Sequence, residues 1–190
     1  MALLKYLLLA VICIASVRSD FNWGRCPNVQ YELSSFDMTR YLGRWYEIAR
    51  AANVPFQKGE CTQAEYSLND DGSIRVHNTE LIGTERSGAV GKATPTSNPF
   101  RLEVTFGDSF FAKLFPGDYR VMNTDYEQFS IVYSCTDLLV GRFEFVWILS
   151  RTPQLPQEQV EAIKNFVSER LGYPAEKLRF TNQTSEFCGY

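Results

Sequence analysis

The stretch Phe100-Arg101-Leu102-Glu103-Val104-Thr105-Phe106 alternates between apolar and polar side chains along its whole length. Side chains of a strand repeat with a period of two, so the four apolar residues share one face and Arg101, Glu103 and Thr105 share the other. A strand with one apolar face must cover that face with another layer of protein. The stretch therefore predicts a β-strand that is buried on one side.

Seven further stretches alternate in the same way or are rich in strand-forming residues. They are Arg44–Ala51, Glu60–Leu68, Ser73–Leu81, Gly88–Thr94, Asp118–Thr124, Gln128–Cys135 and Phe143–Ser150. Turn-forming residues separate them, for example at Asn69–Gly72 and Pro95–Pro99. Eight short strands with regular turn spacing predict an all-β fold, either an antiparallel barrel or a sandwich.

One segment near the C-terminus has a helical pattern. Residues Pro156–Leu171 begin with a proline and are followed by Gly172 and Pro174, which is typical of a helix that starts and ends at these points. The apolar side chains of the segment form one stripe at helical spacing, made of Val160, Ile163, Val167 and Leu171. Such a helix packs against another layer, so we expect it on the outside of the β-structure.

Residues 1–19 predict a secretory signal peptide. Lys5 supplies a positive start, and Tyr6–Val17 is a nearly unbroken apolar run that is shorter than the ~20 residues needed to span a bilayer. Cleavage after Ala15 and cleavage after Ser19 both fit the small residues at the end of this run. The remainder, residues 20–190, has no internal repeat or linker, which predicts a single domain in a secreted, extracellular protein.

The cysteines agree with an extracellular location. Cys13 leaves with the leader, so four cysteines remain, namely Cys26, Cys61, Cys135 and Cys188. An even number in a secreted chain predicts two disulfides, and the spacing leaves three pairings open. None of the four forms a CxxC pair and the sequence has one His, so we expect no metal site.

Composition and charge argue against several classes of protein. The apolar fraction is 45% and the charged fraction is 22%, as in an ordinary soluble domain. The net charge is −3, and −5 without Lys5 and Arg18, which argues against a nucleic-acid partner. The sequence contains 14 Phe, 10 Tyr and 3 Trp but only one His, so it offers few groups for acid–base catalysis. No catalytic motif is present either, and we therefore expect that the protein is not an enzyme. Asn182-Gln183-Thr184 is an N-glycosylation sequon.

A barrel closed by eight strands has room inside for side chains or for one small ligand. The strand faces assigned to the interior are mostly apolar with isolated polar groups, as in small-molecule pockets. They supply the candidate ligand-binding residues Glu47, Tyr66, Val76, Asn78, Leu102, Val104, Tyr119, Val121, Asn123, Phe145 and Trp147. A fully packed core is the alternative, and a register shift of one residue would reverse each face.

The loops predicted at the mouth of the barrel contain unusually many apolar residues. These are Val54–Phe56, Phe110–Phe111, Leu114–Pro116 and Leu138–Val140. Three interpretations stay open: the segment 107–117 and its neighbours form a lid, they contact a lipoprotein or a membrane, or they fold back into the core. Arg86 or Lys113 could meet a ligand carboxylate at the mouth, although surface positions are usual for such residues.

Three blocks of the sequence resemble the signature of the lipocalin family. Gly43-Arg44-Trp45-Tyr46 resembles the motif of the first strand, and Thr124–Phe129 resembles the second block. Arg151, which follows Trp147–Ser150, resembles the third, and the predicted helix comes next as the family requires. The resemblance covers essentially the whole mature chain and is strongest to the branch with apolipoprotein D and the bilin-binding proteins. It implies an eight-stranded antiparallel up-and-down β-barrel with one C-terminal α-helix packed on the outside.

The resemblance also implies structural roles for the signature residues Gly43, Trp45, Thr124, Asp125, Tyr126 and Arg151. Trp45 is expected to plug the closed end of the barrel with the Arg151 guanidinium on its ring. Asp125 is expected to hold backbone N–H groups in a tight turn. Of the three possible disulfide pairings, the resemblance implies Cys26–Cys135 with Cys61–Cys188.

The function implied by the resemblance is a secreted carrier that binds a small hydrophobic ligand inside the barrel and requires no cofactor. A lipid, a steroid, a retinoid or a pigment would suit such a site. The alternatives are a bilin- or carotenoid-binding chromoprotein of the same fold and an interaction or inhibitor protein that acts through its outer surface. The oligomeric state stays open.

Overall fold

A computed structural model of the chain describes residues 21–52, 54–107 and 116–190. The strands are β1 Phe21–Trp23, β2 Gly43–Ala51, β3 Glu60–Leu68, β4 Ile74–Ile82, β5 Glu85–Pro95, β6 Arg101–Phe106, β7 Gly117–Thr124, β8 Phe129–Asp137, β9 Gly141–Ser150 and β10 Leu178–Phe180. The helices are α1 Met38–Tyr41, α2 Gln157–Leu171 and α3 Ser185–Cys188, with a 3₁₀ turn at Ala175–Lys177. The predicted signal peptide, residues 1–19, lies outside the described residues.

Strands β2 to β9 form a closed antiparallel barrel in which each strand pairs with its neighbour in the sequence. The barrel closes where β2 pairs with β9, from Tyr46 opposite Ser150 to Arg50 opposite Trp147. The short strands β1 and β10 add to β9 and β2 respectively. The predicted eight-stranded up-and-down barrel is confirmed, and each of the eight predicted strands overlaps an observed one.

The predicted helix is confirmed as α2 and packs on the outside of the barrel. Gly172 ends the helix in the left-handed conformation, with a φ of 66°. Ile163, Val167 and Leu171 are buried in a hydrophobic cluster that includes Ile48 of β2 and other outward-facing strand residues. The helix therefore covers the apolar outer faces of several strands. A second hydrophobic cluster lies inside the barrel.

That second cluster fills the closed end of the barrel around Trp45, which is completely buried. Asp125 holds the turn between β7 and β8, where its Oδ1 accepts backbone N–H groups of Glu127, Gln128 and Phe129 at 2.8–3.1 Å. Gly43 begins β2 with a φ of 91°, a conformation that glycine adopts at little cost. A buried indole and a hydrogen-bonded turn therefore form the closed end of the barrel.

Two disulfides hold the ends of the chain to the barrel. Cys26–Cys135 ties the N-terminal arm to β8, and Cys61–Cys188 ties α3 to β3. Both pairs agree with the pairing that the family resemblance implies. Throughout the described ranges, no helix has the length and apolar character required for a membrane span.

Candidate functional site

The barrel contains a cavity of about 380 Å³ between the closed end and the open end. Inward side chains of β2 to β9 line it, and Phe56 from the loop after β2 contributes near the open end. A volume of this size lies within the range of small-molecule sites. The barrel interior therefore contains a cavity above a packed closed end, which argues against the alternative of a fully packed core.

Nine of the eleven predicted ligand-binding residues line this cavity. They are Glu47, Tyr66, Val76, Asn78, Leu102, Val104, Tyr119, Phe145 and Trp147. Their contact with a ligand stays a prediction.

Val121 and Asn123, two of the predicted ligand-binding residues, are not among the residues that line the cavity. Val121 is fully buried in the Trp45 cluster, below the cavity. The register of β7 against β8 shifts between Val121 and Asn123, and Met122 packs into the cluster beneath α2. An irregularity of this kind breaks the alternation on which the prediction of Asn123 rested.

A chain of hydroxyl groups forms the floor of the cavity. The Tyr66 and Tyr119 hydroxyls lie 2.9 Å apart, the Tyr119 and Tyr41 hydroxyls 2.8 Å apart, and the Tyr41 hydroxyl contacts Ser130 Oγ at 2.9 Å. Burial raises the pKa of Tyr41 to about 12 and raises the pKa values of Tyr66 and Tyr119 as well. The floor is therefore polar but uncharged at neutral pH.

A buried ion pair stands behind one wall of the cavity. The Glu47 carboxylate accepts hydrogen bonds from Arg50 and from Thr181 Oγ1, and Gln57 Nε2 donates to its second oxygen at 3.0 Å. Trp147 Nε1 donates to Gln57 Oε1 at 2.6 Å. Burial raises the pKa of Glu47, and the neighbouring Arg50 opposes this effect. The wall thus orients the Trp147 indole through a fixed polar network.

Several lining residues were missed because they are polar or lie in loops. Thr62 and Ser134 line the cavity, and the alternation of β3 and β8 could have placed them, since Thr62 precedes Ala64 and Tyr66 by two and four positions. Gln57 lies in the loop after β2, and no local pattern indicates its contact with Trp147.

The open end exposes apolar side chains, which bears on the interpretation of the mouth loops. Leu139 is 99% exposed, and Val140 and Phe56 are also exposed. These three side chains do not fold back into the core, whereas Val54 is buried. The candidates Phe110, Phe111, Lys113, Leu114 and Phe115 lie outside the described residues.

The remaining candidate groups lie away from the cavity lining. Arg86 donates to the Cys188 carbonyl at 2.6 Å and is not a lining residue. His77, the one histidine of the sequence, is not a lining residue either. Among the residues that the structure describes, no group of three or more His, Cys, Asp or Glu side chains could hold a metal ion.

Known proteins resemble this chain in sequence and in structure. The lipocalin-like domain family matches residues 36–183. Apolipoprotein D of Mus musculus is 38% identical over 170 residues, which cover 87% of this chain and 86% of the relative. Bilin-binding protein of Pieris brassicae is 26% identical over 191 residues, with 97% and 98% covered. Insecticyanin from the tobacco hornworm Manduca sexta superposes with a TM-score of 0.75 at 23% identity, with 88% and 91% covered.

Proposed function

Because the chain belongs to the lipocalin family, we propose that it is an extracellular carrier that holds one small hydrophobic molecule inside its barrel. The observation that carries this proposal is the cavity, about 380 Å³ in volume and lined mainly by apolar and aromatic side chains. Burial of apolar ligand surface in such a cavity provides the driving force for binding.

The proposed carrier performs no covalent chemistry. Cys26, Cys61, Cys135 and Cys188 are paired in disulfides, and Glu47 is held by Arg50, Thr181 and Gln57. These contacts support a site that orients a ligand, because the four thiols and the Glu47 carboxylate are already engaged.

Secretion is part of the proposal. The leader pattern of residues 1–19 and the two disulfides support it, since disulfides form and persist in oxidising compartments. Detection of the protein in the culture medium of an expressing animal cell, with a new N-terminus after Ala15 or Ser19, would test this part.

The experiment for ligand binding uses the fluorescence of Trp147, which lines the cavity. Titration with biliverdin, retinol and palmitate should quench this emission in a saturable manner for at least one of the three. The variant Trp147→Phe is the control for the source of the signal, and Trp23→Phe removes the emission of a largely exposed indole. If none of the three ligands binds saturably, the carrier proposal is wrong.

A pigment is the second candidate ligand class, which the bilin-binding relative favours. Glu47, Asn78 and Tyr66 offer polar partners along the wall and floor, as a linear tetrapyrrole with N–H groups would need. The absorption spectrum of protein purified from its source distinguishes the candidates, because a bound pigment gives a visible band and a colourless lipid does not.

Contact with lipid through the open end is a further part of the proposal. The exposed Leu139, Val140 and Phe56 side chains support it, since apolar groups in loops mark interaction surfaces when they cluster. Flotation with phosphatidylcholine vesicles should carry wild-type protein upward and leave a Leu139→Ser/Val140→Ser variant in the lower fraction. Equal flotation of the two proteins would contradict this part.

A further inference from the structure

Two polar side chains on one wall of the cavity have buried oxygen atoms without a hydrogen-bond partner. They are Thr62 Oγ1 on β3 and Asn78 Oδ1 on β4, and the whole Thr62 residue is only 3% exposed. Both residues line the cavity, and Asn78 pairs with Ala64, two positions along β3 from Thr62. Because buried polar groups without a partner are costly, these two oxygens mark a place for a polar group of the ligand.

The donors and acceptors of this pair suit a hydroxyl group. The Thr62 hydroxyl can donate or accept, whereas an amide oxygen such as Asn78 Oδ1 can only accept. A hydroxyl group of the ligand suits either atom, because it can donate to Asn78 Oδ1 and can accept from the Thr62 hydroxyl. A ligand group that only accepts can satisfy Thr62 and leaves Asn78 Oδ1 without a partner.

The charges around the cavity disfavour an anionic ligand. Among the described residues that line it, none is Lys, Arg or His. The fully buried Arg50 lies behind the wall, where its two terminal nitrogens donate to Glu47 and to the carbonyl oxygens of Gln57 and Gly59. A ligand carboxylate would lose its water without gaining a cation as a partner, which is strongly unfavourable.

We propose that the cavity selects a neutral apolar molecule that carries a hydroxyl group and discriminates against the corresponding carboxylate, with Thr62 and Asn78 as the residues that recognise the hydroxyl. This inference rests on the proposed carrier function and names the chemical class of its ligand.

Three retinoids with the same apolar body separate the effects of charge and of hydrogen bonding. Retinol is neutral with a hydroxyl, methyl retinoate is neutral without a donor, and retinoate carries a charge at pH 7.5. Titrations followed by Trp147 quenching should give the tightest binding for retinol and the weakest for retinoate. We expect the dissociation constants of retinol and retinoate to differ by at least about tenfold. A lost hydrogen bond contributes up to about tenfold, and burial of the retinoate charge adds to this difference.

Isosteric variants locate the selectivity. Asn78→Leu should weaken retinol binding by about three- to tenfold and leave the affinity for methyl retinoate unchanged, because the ester has no donor for Asn78 Oδ1. Thr62→Val should weaken the binding of both ligands, because the ester carbonyl can also accept from the Thr62 hydroxyl. Thr105→Val is the matched control, because Thr105 lines the cavity but its hydroxyl already lies 3.4 Å from the Lys92 carbonyl. It should leave the ratio of the retinol and ester affinities as in the wild type.

The outcomes distinguish this inference from the carrier proposal. Retinoate binding as tightly as retinol, or an unchanged ratio of retinol to ester affinity in Asn78→Leu, would overturn the inference while the carrier function stands. Absence of saturable binding by all three retinoids would overturn the inference, and the proposed carrier function then depends on biliverdin and palmitate.

Discussion

The guanidinium carbon of Arg151 lies 3.8 Å from the centre of the Trp45 indole ring. Arg151 also donates to the backbone carbonyl oxygens of Arg40, Arg44 and Tyr126 at 2.8–3.0 Å. Trp45 Nε1 donates to the Tyr41 carbonyl at 2.8 Å. One side chain thus covers the closed end of the barrel and joins the segment before β2, the start of β2 and the turn before β8.

Replacement of Trp45 by Ala should lower the free energy of unfolding by about 3–5 kcal/mol, because it leaves a large cavity in a fully buried cluster. Chemical denaturation measures this loss. The control is Trp23→Ala, which should cost less than about 1 kcal/mol because surface substitutions usually cost little and the Trp23 residue is 77% exposed. A loss below 1 kcal/mol for Trp45→Ala would contradict the role of this residue as a plug.

Separation of the buried ion pair should also destabilise the protein. Arg50→Met leaves the buried Glu47 carboxylate without its cation, and such changes cost about 3–5 kcal/mol. The double variant Glu47→Leu/Arg50→Met should lose less than the sum of the two single variants. Glu65→Gln, which removes the half-exposed partner of Arg44, is the surface control and should cost less than about 1 kcal/mol. Additive losses at Glu47 and Arg50 would show that the two residues are not coupled.

The hydroxyl chain at the cavity floor predicts a loss of stability at alkaline pH. Burial raises the pKa of Tyr41 from 10.0 to about 12 in the folded protein. A raised folded-state pKa gives a contribution that is complete below pH 10 and is lost as the pH rises through 12. For Tyr41 this contribution is about 2–3 kcal/mol.

Urea denaturation at pH 9 and at pH 11 measures this effect. The free energy of unfolding should fall more steeply between these values in the wild type than in Tyr41→Phe, which has no phenol to ionise at this position. Tyr46→Phe, which changes a half-buried tyrosine outside the hydroxyl chain, should behave as the wild type. Identical slopes in the wild type and in Tyr41→Phe would refute the prediction.

Asn182 should carry an N-linked glycan when the protein passes through a eukaryotic secretory pathway. Asn182 is exposed after β10, and its side-chain oxygen accepts hydrogen bonds from the Thr184 backbone and hydroxyl at 3.0 Å. Enzymatic removal of N-glycans should lower the mass of the secreted wild type and leave Asn182→Gln unchanged. A secreted wild-type protein of unmodified mass would disprove this assignment.

Local patterns predicted the long elements of the fold and missed the short ones. The eight barrel strands and α2 repeat their apolar residues often enough to be identified from periodicity. The strands β1 and β10 contain three residues each, too few for a pattern. They form because the ends of β9 and β2 extend beyond their barrel neighbours and offer backbone partners there. The boundaries of β5 were also underestimated, since Glu85–Ser87 are polar and exposed.

Within the candidate site, local patterns also predicted some residues correctly and missed others. Alternation placed Leu102 and Val104 on the cavity because β6 is regular. It failed for Asn123, because the register of β7 against β8 shifts just before this residue. Gln57 and its contacts to Glu47 and Trp147 had no sequence signal, since residues from three separate segments meet there.

The sequence by itself determined the family, the order of the strands, the outer helix and the apolar character of the barrel interior, because side-chain alternation and signature blocks are local properties. Only the tertiary structure decided where the packed end stops and the cavity begins. That boundary is the contact of Tyr41, Tyr66 and Tyr119, which come from distant parts of the chain and meet only when the barrel closes. The tertiary structure also leaves Thr62 Oγ1 and Asn78 Oδ1 without a hydrogen-bond partner. The sequence could not show this, because the partners of a buried polar atom depend on which side chains meet inside the barrel.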